Sequence, residues 1–586
     1  QTCALPIYIL LKFKCLYIYY ILIIKIKQDN YKVQQDTFFQ KTRYLVEFKY
    51  RKQEVLRMRK PERKGTKVPV MKAKEAVTYI KDNDSVAICG AGGGIVDPEV
   101  LINALSQRYE ETGEPKDLTL WHATGLGDRN DRGMSPLAKK GLVKRVIGGH
   151  WGQSPRLAEM AERNEIEAYN FPQGIMAQLL RTAAAGQPGL LSHVGLNTFV
   201  DPRQKGGKLN DVTKEDLIKH TTLNGKEYLF YPTLPLDVCF IRATTVDSDG
   251  YASMEDEITY VDVLAMAQAV HNNGGLVILQ AKRMVKAGTI HPRQVKVPGY
   301  LVDIVVINEK QEQLYNGSDA FFTGDYIAEE DENASLPLDQ RKVVARRALM
   351  EIGPGNVGNV GVGIADGIGT VAREEGVGEE FTLTVETGPV GGATAQGIFF
   401  GASINSKALM DMPSQFDFYD GGGLDVAFLS FAELDAKGNV NVHKFNGKIM
   451  GTGGFVNICS GSKKVVLCGT LRAGGLKTEV GNGQIKVVQE GRFEKMIPEC
   501  EEITFSGEQA LKQGQKVVYI TERAVFELIE EGVVLTEVAP GIDVEKDIIA
   551  QMGFKPIISK ELKLMDERIF QDEKMNIREE FMNQSF

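Results

Sequence analysis

At 586 residues, the chain is too long for a single hydrophobic core, so we expect two or more domains. Its hydrophobic content of 43% and charged content of 25% are typical of a globular protein, and the net charge of −8 argues against nucleic acid as the main partner. The seven cysteines and seven histidines are scattered without metal-ligand spacing. This pattern favours reduced thiols, a cytoplasmic location and no metal site.

Residues 1–57 differ in composition from the rest of the chain, being rich in Ile, Tyr, Lys and Phe. The apolar run from Cys15 to Ile24 is flanked by lysines and is too short to span a bilayer of ~30 Å. No small-residue cleavage site follows it, as a secretory signal would require. We therefore expect no membrane partner, and we interpret this stretch as an artefactual extension read through from AT-rich DNA, with the true protein starting at Met58.

The first half of the chain, residues 58–308, alternates strand-like and helix-like segments and is predicted to be one α/β domain. A strand, a loop containing four glycines between Gly90 and Gly94, and a helix follow each other over residues 84–105. The loop can present backbone N–H groups to an anion, but it lacks the GxGxxG spacing of a dinucleotide site. A close strand-to-helix turn without a ligand explains the glycines equally well.

A second strand-to-helix junction in this half places Gln173 on a loop. A strand is predicted up to Tyr169, followed by Phe171-Pro172-Gln173-Gly174 and an amphipathic helix. The Gln173 amide could donate a hydrogen bond to a ligand there. On the residues alone, an ordinary helix-capping glutamine is the preferred interpretation.

The second half repeats part of the first. The stretch LDVCFIRATTVDSDGYAS at 236–253 aligns with LDVAFLSFAELDAKGNVN at 424–441, an offset of 188 residues, and 277–279 aligns with 465–467 at the same offset. Matches that share one spacing predict two related open α/β domains, an internal pseudo-repeat. We expect an acidic linker at 309–338, a C-terminal domain at 339–567, and a loosely packed charged tail at 568–586.

Within the second half, Glu386 stands out because it directly follows an alternating strand-like run, residues 381–385. The next residues, Thr387 to Gly392, are too rich in Gly and Pro to continue a strand. This pattern places a carboxylate at the C-terminal end of a strand, where ligands bind in open α/β sheets. A surface acid that caps a turn is an equally good interpretation of the local pattern. Further along, the glycine-rich stretch at 451–454 could expose backbone N–H groups at one point, as an oxyanion hole requires.

These segments together resemble the family I coenzyme A transferases over nearly all of residues 58–567. The resemblance lies in many long motifs, among them GAGGGIVDPEVL, GLGDRNDRG, GHWGQSPR, AYNFPQG, VGLNTFVDPR, NVGVGIADGIG, TVETGPVGG and HKFNGKIMGTGGF. The glutamate stands in Val385-Glu386-Thr387-Gly388 rather than in a Ser-Glu-Asn-Gly sequence. This context is similar to the acetate and propionate CoA-transferase branch and differs from the succinyl-CoA:3-oxoacid branch.

The resemblance implies roles for individual residues. Glu386 would be the nucleophile, and Gln173 with a backbone N–H of Gly453 or Gly454 would stabilise the oxyanion. Asn359, Gly361, Gly363 and Gly451 would line the path of coenzyme A, although tight turns explain these glycines as well.

The resemblance also implies substrates and assembly. Acyl-CoA and short-chain carboxylates would be the substrates, coenzyme A would not be a resident cofactor, and the protein would be a homodimer or homotetramer. An acyl-CoA hydrolase that uses the same glutamate and a non-catalytic CoA-binding protein are the alternatives.

Overall fold

The structure is a computed structural model that describes residues 59–329 and 335–584, except for the side chain of Ile398. The predicted extension, residues 1–57, lies outside the described residues. From Lys60 onward the described residues form one compact unit. Among them, no helix combines the length and the apolar character needed to cross a membrane.

An N-terminal sheet of nine strands forms within residues 59–329. Its longest strands, Val238–Asp247 and Leu276–Val285, pair in parallel, and the first is buried along its whole length. Burial along the whole strand is typical of a central parallel strand covered on both faces. The seven parallel strands are, in spatial order, Glu167–Asn170, Val143–Gly148, Leu118–His122, Ser85–Ile88, Val238–Asp247, Leu276–Val285 and Ile304–Ile307.

Helices and smaller elements complete this half. The α-helices are Ala73–Ala76, Glu99–Thr112, Pro155–Glu162, Gln173–Ala184 and Val263–Asn272, and the 3-10 turns are Val77–Tyr79, Ser135–Leu137 and Gly299–Leu301. Two short strands, Ala252–Ser253 and Val295–Val297, extend the sheet in antiparallel fashion, and a separate antiparallel sheet contains Gly189–Ser192, Lys219–Leu223 and Lys226–Pro232.

A C-terminal sheet of ten strands forms within residues 335–584. Its five central parallel strands are, in spatial order, Thr382–Thr384, Val357–Val360, Val426–Ser430, Lys464–Cys468 and Lys516–Ile520. Antiparallel strands Pro389–Val390 and Ala408–Leu409 flank one edge, and Ala524–Ile529, Gly532–Val538 and Ile557–Leu564 extend the other. The α-helices are Gln340–Leu349, Ile368–Glu374, Met412–Asp420, Phe455–Gly461, Gly507–Lys512 and Arg578–Met582.

Short turns and hairpins lie around this sheet. The helical turns are Ile364–Gly367, Gly397–Phe399, Val544–Ile548, Ile549–Gln551 and Glu567–Phe570. The paired short strands are Ala393–Thr394 with Ser403–Ile404, Glu433–Leu434 with Val440–Asn441, Lys444–Phe445 with Lys448–Ile449, Arg472–Ala473 with Phe493–Glu494, and Lys477–Gly481 with Gln484–Gln489.

The pseudo-repeat predicted at an offset of 188 residues is confirmed by equivalent hydrogen bonds in the two halves. The Asp237 carboxylate accepts from the Ser85 N–H at 3.0 Å, and the Asp425 carboxylate accepts from the Val357 N–H at 2.8 Å. Likewise, Asp247 Oδ1 accepts backbone N–H groups two and four residues later, as Asp435 Oδ1 does. Equivalent aspartates therefore join equivalent strands and close equivalent turns in the two sheets.

The expectation of a loosely packed tail was wrong. Ile569 and Phe570 are fully buried and Phe581 is nearly so, in the core that covers the outer face of the C-terminal sheet. The buried Arg346 guanidinium donates to backbone carbonyls of this segment, including those of Ile569 at 3.2 Å and Gln571 at 2.6 Å. The apolar residues of the tail are thus mostly buried, whereas most of its charged residues are exposed.

Candidate active site

Glu386 lies at the tip of a tight turn, residues 385–388, which follows the parallel strand Thr382–Thr384. The Gly388 N–H donates to the Val385 carbonyl at 3.0 Å and closes the turn. Gly388 has φ of +133°, and a Cβ atom there would come 2.2 Å from the Met410 carbonyl oxygen. Glycine is thus required at this position, and the turn presents the Glu386 side chain beyond the C-terminal edge of the sheet.

The other half of the chain fixes this turn. The Thr259 hydroxyl, from the N-terminal half, donates to the Thr387 carbonyl at 2.6 Å. The Thr387 hydroxyl donates in turn to the Gly401 carbonyl at 2.7 Å. Both hydroxyls are buried. The backbone that carries Glu386 is therefore held from both sides rather than free to move like an exposed loop.

The Glu386 carboxyl group is poorly solvated. Its Oε2 atom is buried and has no hydrogen-bond partner among the described residues. Burial raises the pKa of Glu386 to about 7, against the weaker opposing effect of its own backbone N–H. A carboxylate with few hydrogen bonds and little water around it is a better nucleophile than a hydrated one, because less solvation must be lost when it attacks.

The glycine-rich loop, residues 451–454, is held against the N-terminal half by backbone hydrogen bonds. The Gly453 N–H donates to the Gly149 carbonyl at 2.8 Å, and the Gly453 carbonyl accepts from the Gln173 N–H at 3.0 Å. Gly451 has φ of +78°, and a Cβ atom there would come 2.8 Å from both His150 Cα and Trp151 N. The loop therefore packs too closely against the N-terminal half to carry a side chain at Gly451.

Two hydrogen-bond donors beside Glu386 have no strong acceptor. The Gly454 N–H has no acceptor among the described residues, whereas the Gly453 N–H already donates to a carbonyl. A Cβ atom on Gly454 would lie 3.4 Å from Glu386 Cγ, so this backbone is adjacent to the carboxyl group. The buried Gln173 amide donates only to the Met412 sulfur at 3.3 Å, a weak acceptor.

These groups line one cavity of about 420 Å³ between the two halves. Of the residues predicted from the sequence, Gln173, Glu386, Gly361, Gly451, Gly453 and Gly454 all line it. Strand-end residues of both sheets meet there, at the carboxyl edges of the parallel strands. The structure thus brings together an N-terminal amide and a C-terminal carboxylate that are more than two hundred residues apart in sequence.

Asn359 and Gly363 do not line this cavity. The Asn359 side chain is buried in the sheet, where its amide donates to the Thr384 carbonyl and the Tyr419 hydroxyl, both at 3.2 Å. Gly363 precedes the turn Ile364–Gly367 with φ of +110°. The positions of these two residues indicate roles in strand packing and turn formation, beneath and beside the cavity.

Several polar lining residues were missed by the sequence reasoning, notably Arg129, His150 and Gln153. His150 follows the strand Val143–Gly148, so its position at a strand end could have been noticed. Burial, the nearby His122 and the Arg129 charge lower the pKa of His150 to about 4, which leaves the imidazole neutral at pH 7. Elsewhere, the described residues contain no cluster of His, Cys, Asp and Glu side chains arranged to hold a metal ion.

Known proteins are similar to this chain over most of its length. A protein-family model described as Coenzyme A transferase matches residues 70–308. The chain is 60% identical over 518 residues to Acetate CoA-transferase YdiF of Escherichia coli K12, which covers 88% of this chain and 98% of that protein. The chain belongs to the coenzyme A transferase family. This finding confirms the resemblance that the sequence motifs predicted, and coenzyme A is therefore a substrate of this transferase.

Other members of the family are similar over comparable lengths. The transferase is 40% identical over 509 residues to Caffeate CoA-transferase of Acetobacterium woodii, covering 85% of this chain and 97% of that one. It also matches a crystal structure of acyl-CoA transferase YdiF from E. coli O157:H7, described as a thioester complex with CoA. That match has a TM-score of 0.85 and 58% identity, and it covers 88% of this chain and 99% of the other.

Proposed function

We propose that this CoA-transferase moves coenzyme A between short-chain acyl-CoA and carboxylic acids through a covalent thioester on Glu386. The observation that carries the proposal is the position of Glu386: an unpaired, poorly solvated carboxylate in the cavity, beside two donors without strong acceptors. The description of a 58% identical structure as a thioester complex with CoA supports it.

In the first half-reaction, a Glu386 oxygen attacks the thioester carbonyl carbon of the donor acyl-CoA. The carbon–sulfur bond breaks, which yields an acyl-glutamyl anhydride and CoA thiolate. The thiolate then attacks the Glu386 carbonyl carbon, and the carbon–oxygen bond of the anhydride breaks. The donor acid leaves as its carboxylate, and Glu386 holds coenzyme A as a thioester.

The second half-reaction runs the same steps in reverse with the acceptor acid. Its carboxylate attacks the glutamyl thioester, the released thiolate attacks the acyl carbonyl of the new anhydride, and Glu386 is regenerated. The first acid leaves before the second reacts, so ping-pong kinetics are expected. Charges balance at each step without a proton transfer, so neutral His150 need not act as a base.

Each attack places negative charge on a carbonyl oxygen. We assign the stabilising donors to the Gln173 amide and the Gly454 N–H, because the Gly453 N–H is already bonded to the Gly149 carbonyl. Water would hydrolyse the glutamyl thioester. The aromatic and aliphatic lining, which includes Leu429, Phe431, Met450 and Phe455, supports a site that limits water around the intermediate.

The residues that line the cavity also bear on which carboxylic acids the enzyme accepts. Among the described lining residues, Arg129 is the one Lys or Arg side chain, and no cation lies within ion-pairing distance of Glu386. Close to Glu386, a dicarboxylate such as succinate would bring its second charge against apolar side chains rather than a cation. Monocarboxylates such as acetate, propionate and butyrate therefore fit best. A cytoplasmic location and a homodimer or homotetramer remain our predictions for the native protein.

The test is mass analysis of the pure protein mixed with acetyl-CoA in the absence of acceptor acid. We expect a CoA adduct on the peptide that contains Glu386 and none on the Glu386→Asp variant, whose carboxylate is displaced by one methylene. Steady acetate release without an adduct would indicate a hydrolase instead. Binding of CoA with neither adduct nor release, from propionyl- and butyryl-CoA as well, would indicate a non-catalytic binding protein.

A further inference from the structure

Arg129 occupies a rigid loop at the cavity, residues 125–133, which follows the strand Leu118–His122. Its backbone is left-handed, with φ of +64°, and its N–H donates to the Gln153 carbonyl at 3.0 Å. The loop is tightly packed, since a Cβ atom on Gly127 would come 2.3 Å from that same carbonyl oxygen. Non-glycine residues seldom adopt this conformation, so the surrounding contacts hold Arg129 in a fixed position.

The other charged side chains of this loop all have partners. Arg132 donates to Glu99 through two bonds of 2.7 Å, Asp131 pairs with Arg156, and Asp128 Oδ1 accepts two backbone N–H groups. Arg129, by contrast, has no side-chain hydrogen bond or ion pair among residues 59–329 and 335–584. The loop therefore neutralises its internal charges and leaves one exposed guanidinium at the cavity.

Arg129 is exposed and still lines the cavity, so its guanidinium lies toward the mouth of the cavity. The Glu386 Oε2 atom, in contrast, is buried. The positive charge of Arg129 also contributes to the lowered pKa of His150, which lines the same cavity.

Coenzyme A has the matching distribution of charge. Its thioester end and pantetheine arm are uncharged, and its negative charges are the phosphates at the nucleotide end. A carboxylate acceptor, in contrast, must bring its charge to the Glu386 carbonyl carbon. An exposed guanidinium at the mouth is suited to a phosphate, which it can bind through paired N–H donors.

We propose that Arg129 binds a phosphate group of coenzyme A at the mouth of the cavity. This inference rests on the proposed function only in that the cavity holds coenzyme A with its sulfur toward Glu386. It makes Arg129 a binding residue for the nucleotide end rather than a group that takes part in the chemistry.

The test is the dissociation constant of CoA, measured by calorimetry on the full-length protein at several salt concentrations. Arg129→Gln should weaken CoA binding about tenfold and reduce its salt dependence, because one charge-assisted contact to phosphate is lost. Arg129→Lys should recover part of the affinity. Arg293→Gln, which removes an exposed arginine outside both this loop and the cavity lining, is the matched control and should bind CoA like the wild type.

Dephospho-CoA, which lacks the 3′-phosphate, shows which phosphate of coenzyme A Arg129 contacts. Equal binding of dephospho-CoA by the wild type and Arg129→Gln would assign the contact to the 3′-phosphate, and a persistent loss would assign it to the pyrophosphate. Both results support the inference.

Unchanged CoA affinity in Arg129→Gln would overturn the inference. A loss of CoA affinity that Arg129→Lys does not recover and that does not depend on salt would also overturn it, because such a loss would indicate distortion of the loop. A raised KM for acetate with unchanged CoA affinity would overturn it in favour of carboxylate binding. Because binding needs no turnover, a protein that binds CoA through Arg129 but forms no Glu386 adduct would refute the proposed transfer alone.

Discussion

Replacing Glu386 with glutamine should make the protein more stable at alkaline pH while it abolishes the CoA adduct. The folded state raises the pKa of Glu386 from 4.5 to about 7, so the native protein binds more protons than the unfolded chain between these values. Stability therefore falls as pH rises from about 4.5 to about 7, and the loss is complete above the folded pKa. A neutral glutamine avoids this cost.

The magnitude follows from the pKa shift. At ~1.4 kcal/mol per pKa unit the cost has an upper bound of about 3.5 kcal/mol, and the partial exposure of the side chain reduces it to about 1–2 kcal/mol. For a unit of about 520 described residues, this corresponds to about 1–2 °C in Tm. Only the part of the Tm difference that varies with pH reports the ionisation of Glu386, since the glutamine amide also changes local hydrogen bonding at every pH.

The assay is differential scanning calorimetry of the wild type and Glu386→Gln from pH 4 to pH 9. We expect the Tm difference to grow between about pH 4.5 and pH 7 and then to stay constant. Glu530→Gln, which neutralises an exposed glutamate in the same half, is the control for the loss of one charge. A Tm difference that is the same at pH 4 and pH 8 would refute the reasoning that burial of the nucleophile costs stability.

Three further predictions concern the surroundings of the nucleophile. Gln173→Ala should lower kcat about a hundredfold with little change in KM, because an oxyanion donor acts mainly in the transition state. A rise in KM as large as the fall in kcat would contradict that role. The rate of adduct formation should rise with pH through about 7 and level off as the nucleophile ionises, and His150→Gln should keep this profile because the pKa of His150 is about 4. A midpoint that disappears in His150→Gln would instead identify the imidazole as the titrating group. Gly451→Ala should lower the Tm more than Gly447→Ala, since both residues have φ above +65° but only the Cβ at Gly451 would meet backbone, at 2.8 Å; equal Tm changes would mean that the loop adjusts freely.

Sequence reasoning was most successful where local pattern decides the structure. The strands before Gln173 and Glu386 and the pseudo-repeat follow from periodicity, and the backbone N–H at Gly454, free among the described residues, follows from the glycine content of residues 451–454. The pairing of Gln173 with Glu386 could be expected only from the family resemblance, because no local signal links residues so far apart. Arg129 was missed for a related reason: its importance depends on the pairing of its loop neighbours, which only the folded chain shows.

The two halves contribute unequally to a site that neither could form alone. The C-terminal half supplies the Glu386 carboxylate and the Gly454 N–H, and the N-terminal half supplies the Gln173 amide and the Thr259 hydroxyl that fixes the turn. Burying an unpaired carboxylate costs free energy. The backbone that carries Glu386 must therefore be held by several contacts, because otherwise the side chain would turn toward water. The hydrogen bonds that Gly453 makes to the N-terminal half on both its N–H and its carbonyl provide that restraint. The contact between halves thus has two structural effects: it positions the Gln173 and Gly454 donors, and it restrains the backbone beside the poorly solvated Glu386 carboxyl group.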